Sequence, residues 1–187
     1  PENILKTYAQ PGGVLPEHPV YKSVPGIEAT SGSLGHGLPI GLGIALGAKI
    51  QKREYRVYVL MSDGECNEGT VWESAMLAPA QKLDNLIAIV DFNGWQATGR
   101  SEEVTAIKSL KDKFESFGWS SYDVDGHNVD DLIEVLQNVP DGTSNPVAVI
   151  AHTVKGKGVS FMEDDNNWHY RIPNKKEVKM ALSELGF

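Results

Sequence analysis

The sequence predicts an α/β fold, an open and mostly parallel sheet with helices on both faces. Three observations carry that expectation. Four short runs rich in β-branched and apolar residues, at 56–61, 86–90, 119–124 and 147–152, are separated by segments of helical length. Strands alternating with helices are most economically joined by crossovers into a parallel sheet. The runs at 56–61 and 86–90 are apolar nearly throughout, as strands covered on both faces are. Both end in oxygen-bearing side chains, Asp63-Gly64 after the first and Asp91-Phe92-Asn93 after the second. Parallel sheets bind ligands at that end of their strands, where helix N-termini also point.

The elements follow in order. Residues 1–33 are rich in Pro, Gly, Ser and Thr without a sustained period and read as mostly extended loop. Residues 38–49 form an apolar helix interrupted by Gly41, Gly43 and Gly47. Each glycine costs roughly 1 kcal/mol of helix propensity against alanine, so a close contact should compensate. Residues 70–82 are a second helix, with Trp72, Ala75 and Met76 near one stripe and Pro79 expected to bend it. Further helices are expected at 107–117, 129–138 and 175–185, the last amphipathic. No repeat or low-complexity tract interrupts this pattern, and the 187 residues suit a single domain. The chain does not begin with Met, so the parent protein is expected to extend further at the N-terminus.

Composition narrows the partners. A net charge of -8 without a basic block argues against nucleic acid and against an anionic membrane surface. The N-terminus lacks the apolar core of a signal peptide, and the longest apolar candidate, 35–50, carries five glycines, a histidine and a lysine. Cys66 is the only cysteine, so neither a disulfide framework nor a thiolate cluster is available. A cytoplasmic protein is expected.

The strand ends at Asp63 and Asn93 offer hard oxygen ligands. Gly64 permits close backbone approach to a diphosphate, and the Trp95 carbonyl can complete the protein's share. Two diphosphate oxygens and a water would bring the total to six, which suits Mg²⁺, and Ca²⁺ less strictly. On their own, Glu68 reads as a helix N-terminal carboxylate and Glu73 as a locally paired helix residue. His18, His36 and His169 lie in expected loops, where neutral imidazole can donate and accept protons, while His127 and His152 close strands. Lys155-Gly156-Lys157-Gly158 reads either as a solvated turn or as a lid over an anionic ligand.

Four motifs, taken together, resemble the thiamine diphosphate-binding domain of transketolase, in its separate N-terminal-subunit form. They are HPVYKSVPGIEATSGSLGHGLPIGLGIALGAK, SDGECNEGTVWESAMLAPAQKLDNLIAIVDFNGWQATG, FGWSSYDVDGHN and TVKGKGVSFMEDDNNWH. The resemblance implies that Asp63, Asn93 and the Trp95 carbonyl hold the metal, with Gly64 against the diphosphate; Glu65 beside it is expected to contact the cofactor. It implies that Gly32, Ser33, Leu34 and Gly35 approach the thiazolium, Leu34 packing on that ring. Glu68 and Glu73 match buried inter-subunit carboxylates linked to the glutamate that activates the aminopyrimidine. His18 and His169 match histidines near the thiazolium and the substrate hydroxyls; on the lid reading of its own loop, Lys155 is expected to face the diphosphate or a sugar phosphate.

The implied function is two-carbon ketol transfer from a ketose phosphate to an aldose phosphate. It requires a C-terminal pyrimidine-binding partner subunit, in a homo-oligomer or a dimer of heterodimers. A related carboligase of sugar or secondary metabolism is the alternative within enzymes, and a non-catalytic homologue is the alternative outside them. The sequence departs from the family at Ser62 and Tyr170, where glycine is usual, at His36, where glutamine is common, and at the bulky Trp95. The upstream segment that supplies further active-site histidines is absent from this sequence, which leaves the substrate open.

Overall fold

The computed structural model describes residues 2–105 and 107–187. Its helices are α1 (Gly37–Ile50), α2 (Gly69–Ala80), α3 (Ser101–Thr105), α4 (Leu110–Ser116), α5 (Val129–Gln137) and α6 (Lys175–Glu184). Its strands are β1 (Val57–Ser62), β2 (Leu86–Phe92), β3 (Trp95–Gln96), β4 (Gly99–Arg100), β5 (Ser120–Asp125) and β6 (Val147–His152). The main sheet is entirely parallel in the order β1-β2-β6-β5, and β3 and β4 pair as a separate antiparallel hairpin.

The sheet divides two cores by residue parity, as the strand period of two requires. Leu86, Ala88 and Val90 of β2 and Ala148 and Ile150 of β6 face α1, α2 and α4 together with Leu38, Ala75, Phe114 and Trp119. Ile87, Val147 and Val149 face the opposite way, against Leu132, Val135 and Leu136 of α5. Helices therefore cover both faces. At β1 the expectation of two buried faces fails: Val59 and Met61 are buried, but Tyr58 and Leu60 are exposed. The reason is position, because β1 is an edge strand that pairs only with β2, and the core on the α5 side takes residues from β2, β5 and β6 but none from β1.

Other boundaries shift for local reasons. The N-terminal stretch begins with a 3-10 turn, Glu2–Thr7, rather than extended chain. The helix expected at 107–117 starts only at Leu110, where Ser109 caps it by accepting from the Asp112 N–H, and Ile107 packs into the core ahead of it. Gly41 provides the close contact expected of the α1 glycines, since a Cβ there would meet Val59 Cγ2 at 2.3 Å; Gly43 and Gly47 face open space. Pro79 sits in the last turn of α2 and does not break it. Lacking an N–H, it leaves the Ala75 carbonyl without its helical partner. The buried Trp119 indole N–H donates to that carbonyl at 2.8 Å.

Candidate functional site

The register Ser62↔Asp91 carries Asp63 and Asn93 past the C-terminal ends of two adjacent parallel strands. Asp63 is fully buried. Its backbone N–H donates to the Asp91 carbonyl, and its Oδ2 accepts from Ser101 Oγ at 2.6 Å. Among the described residues, its Oδ1 has no hydrogen-bond partner. Burial raises the Asp63 pKa above the ordinary carboxylate value, and the Ser101 hydroxyl opposes that rise. A buried carboxylate oxygen without a partner is costly, and a bound cation is one way to relieve it.

Asn93 is half-buried and its Oδ1 accepts from the Trp95 N–H at 2.9 Å, closing the turn into β3 and leaving one lone pair on that oxygen. Among the described residues, no group of three or more His, Cys, Asp and Glu side chains is gathered to hold a metal. The candidate here is a sparser set of a carboxylate, a carboxamide and a carbonyl, which leaves coordination positions to phosphate and water in the way Mg²⁺ uses them. Gly64 lies under the hairpin: a Cβ there would sit 3.4 Å from Gln96 Cγ.

The glycine loop is strapped to the start of α2. Gly35 N–H donates to Glu65 Oε1 at 2.9 Å and Thr70 Oγ1 donates to the Gly35 carbonyl at 2.7 Å. Gly35 has a φ of 81°, and a Cβ would meet Glu68 Cβ at 2.4 Å. His18 packs on Gly32, whose added Cβ would strike the imidazole at 2.6 Å. Residues separated in sequence, His18, Gly32, Gly35, Glu65 and Glu68, thus share one corner. Ser33 and Leu34 lie between them, exposed, and Leu34 walls a cleft along the β1 edge with His36, Ile40 and Glu65.

The remaining residues singled out by the sequence lie as follows. Glu68 occupies the N-cap position of α2 but makes no capping hydrogen bond, and neither it nor Glu73 forms an ion pair among the described residues. Both are exposed in this single chain rather than buried. The Lys155–Gly158 stretch is a packed turn: a Cβ on Gly156 would meet the Met162 carbonyl oxygen at 2.5 Å, and Gly158 N–H donates to Glu163 Oε1 at 3.0 Å. His169 is exposed at the end of a 3-10 turn, Asn166–His169, with the Tyr170 ring edge-on at 4.6 Å. His127 Nε2 accepts from the Val154 N–H at 2.7 Å and so fixes the exit of β6. His152 pairs with Asp123 across β5 and β6 at 2.6 Å.

Sequence reasoning missed Ser101 and Thr70, two hydroxyls whose importance lies in contacts 38 and 35 residues away. No spacing rule marks either. A four-stranded parallel sheet with a buried carboxylate and a glycine strap at the carboxyl ends of its strands is the architecture in which open α/β domains bind phosphate-bearing ligands.

Comparison with known proteins places it more narrowly. The sequence profile of the transketolase thiamine diphosphate-binding domain matches residues 2–187. The chain is 41% identical over 182 residues to one subunit of an apulose-4-phosphate transketolase from Phocaeicola vulgatus, covering 97% of this chain and 64% of that protein. It is 35% identical over 185 residues to a 6-deoxy-6-sulfo-D-fructose transketolase subunit from Clostridium sp., covering 99% of this chain and 67% of that one. The crystal structure of Campylobacter jejuni transketolase superposes with a TM-score of 0.92 at 28% identity, covering 99% of this chain and 30% of that one. The chain belongs to the transketolase family, as its thiamine diphosphate-binding domain. It spans about two thirds of the length of the subunit-type relatives and under a third of the Campylobacter jejuni chain. Among the described residues no helix is long and apolar enough to cross a membrane.

Proposed function

We propose that this chain is the diphosphate-side part of a thiamine diphosphate-dependent enzyme that moves a two-carbon ketol unit between phosphorylated or otherwise anionic sugars. The observation that carries the reading is the unpartnered, fully buried Oδ1 of Asp63, one strand away from Asn93, in a chain of this family. Asp63, Asn93 and the Trp95 carbonyl would hold Mg²⁺, with Gly64 giving the diphosphate backbone access. The bound cofactor supplies the electron sink that ketol transfer needs. The chain's own residues anchor and orient it and handle protons at its margin. His18, set against Gly32, and exposed His169 are assigned to substrate hydroxyl and carbonyl protons, and Lys155 to an anionic group.

Two features support a partner subunit. Two of the relatives named above, the Phocaeicola vulgatus and Clostridium proteins, are subunits in their own designations, and α2 exposes Met76 at 53% and Leu77 at 44% alongside Glu73. An apolar face mixed with carboxylates needs covering, and Glu68 and Glu73 are assigned to that contact, opposite a pyrimidine-binding partner. The assembly is then an oligomer of such pairs, in the cytoplasm.

A second reading concerns substrate. The relatives' names specify apulose-4-phosphate and 6-deoxy-6-sulfo-D-fructose, and Tyr170 beside His169 adds bulk at the expected substrate mouth, which favours an unusual donor over the common pentose phosphates. Turnover by the chain and its co-expressed partner, measured over a panel of ketose donors and aldose acceptors with sulfonated and branched members, tests both. Two-carbon transfer to an aldose supports the proposal; cofactor binding without transfer on any pair refutes it.

A further inference from the structure

The hairpin between Asn93 and Ser101 makes a set of contacts that the assignments above do not use. Trp95 and Arg100 are cross-strand partners in β3 and β4, strands of two residues each. A ribbon that short does not hold itself. Arg100 forks onto Asp164, Nη1 to Oδ1 at 2.7 Å and Nη2 to Oδ2 at 2.5 Å. The Trp95 indole N–H donates to the same Oδ1 at 2.7 Å. The guanidinium carbon lies 3.7 Å from the Trp95 ring centroid, stacked on its face.

Asp164 holds a φ of 54°, unusual for a residue with a side chain and retained where surrounding contacts fix it. Its N–H donates to the Lys155 carbonyl at 2.8 Å, tying the far end of the β6 exit loop to its beginning. Asn166 adds a second tie, its carboxamide donating to the Ala97 carbonyl at 3.2 Å. His169 ends the turn that starts at Asn166. On the other side, Ser101, the residue after Arg100, donates to Asp63. Consecutive residues thus hold the carboxylate at the metal corner and the carboxylate of the loop bearing His169.

We propose that Arg100 is a positioning residue: clamped by Asp164 and stacked on Trp95, it fixes the segment 153–170, and His169 on it, against the hairpin beside Asp63. The catalytic part of this inference rests on His169 meeting substrate, as read above. An ion pair this exposed, with side chains 39% and 51% accessible, adds little to stability. What the fork, the third hydrogen bond and the stacking supply is orientation, which a lysine at this position cannot reproduce with one point charge.

The test uses the assembled enzyme with its partner subunit. Arg100→Ala should lower turnover about tenfold or more, in line with the sensitivity of positioned groups to small displacements. Thiamine diphosphate affinity should change less than threefold and the unfolding midpoint should hold. Amide hydrogen exchange across 155–170 should accelerate. Arg100→Lys should recover only part of both effects. In a His169→Ala background, Arg100→Ala should cost no further turnover, because the residue it positions is gone. Unchanged exchange at 155–170 in Arg100→Ala overturns the latch, and an equal loss in the His169→Ala background overturns its action through His169. If His169→Ala alone keeps full turnover, the functional reading of that histidine fails, and the exchange data alone then decide whether the latch exists.

Discussion

Ser101→Ala is a sharp probe of the proposed metal corner because both atoms of its contact are out of water. Ser101 is 1% exposed and Asp63 fully buried, with Oγ to Oδ2 at 2.6 Å. A hydrogen bond to a charged group contributes roughly 1.5–3 kcal/mol, and about 1.4 kcal/mol is tenfold in affinity. Removing the hydroxyl should therefore weaken Mg²⁺ binding to the thiamine diphosphate-loaded enzyme by roughly 10- to 100-fold, the usual range for a partner behind a metal ligand. The pH dependence has a definite sign. Burial already holds the Asp63 pKa above its ordinary value and Ser101 opposes that shift. Without Ser101 the pKa rises further, a proton competes with the metal at higher pH, and the loss of affinity should grow on acidification. Calorimetric Mg²⁺ titrations of wild type and variant across a pH series measure both effects. A change below threefold with no added pH dependence refutes the idea that Ser101 supports a metal-bound carboxylate.

Three further outcomes are expected. Trp119→Phe leaves the Ala75 carbonyl, orphaned by Pro79, without its 2.8 Å donor. It should cost about 2–4 kcal/mol from cavity and lost hydrogen bond combined, and less in a Pro79→Ala background, as urea unfolding will show; equal costs in both contradict the pairing. Cys66 is fully buried and its thiol is pushed up to about 12 by burial and by Asp63 and Glu65, so thiol reagents at pH 8 should react only after unfolding. Asp164 is held down to about 2 by Arg100 and Trp95. A lowered carboxylate pKa keeps its contribution above the ordinary value near 3.8 and loses it as pH falls toward 2. Exchange protection at 155–170 should follow that window and not fade near pH 5.

Much of the fold was legible because its signals are local. Strands β2 and β6 carry continuous apolar runs, the helices between them have the length crossovers need, and Asp63 and Asn93 mark adjacent strand ends. What was illegible depends on partners distant in sequence. The exposed face of β1 follows from its place at the sheet edge, which no pattern within 56–61 encodes. Ser101 is an ordinary serine until folding buries it against Asp63. The β3–β4 hairpin is too short for periodicity to reveal, yet it brings Trp95 and Arg100 to Asp164, more than sixty residues on. The expected burial of Glu68 and Glu73 refers to a surface the single chain leaves open.

The most direct test of the central claim, that Asp63 anchors a cation that anchors thiamine diphosphate, is the Mg²⁺ dependence of cofactor binding in an Asp63→Ala enzyme assembled with its partner. Titration followed by calorimetry and by quenching of protein fluorescence should show Mg²⁺-dependent cofactor binding in the wild type. In the variant no Mg²⁺-dependent binding should remain, while the circular dichroism of the fold is preserved. Cofactor affinity that is unchanged in Asp63→Ala, and still dependent on Mg²⁺, would contradict the account at its foundation.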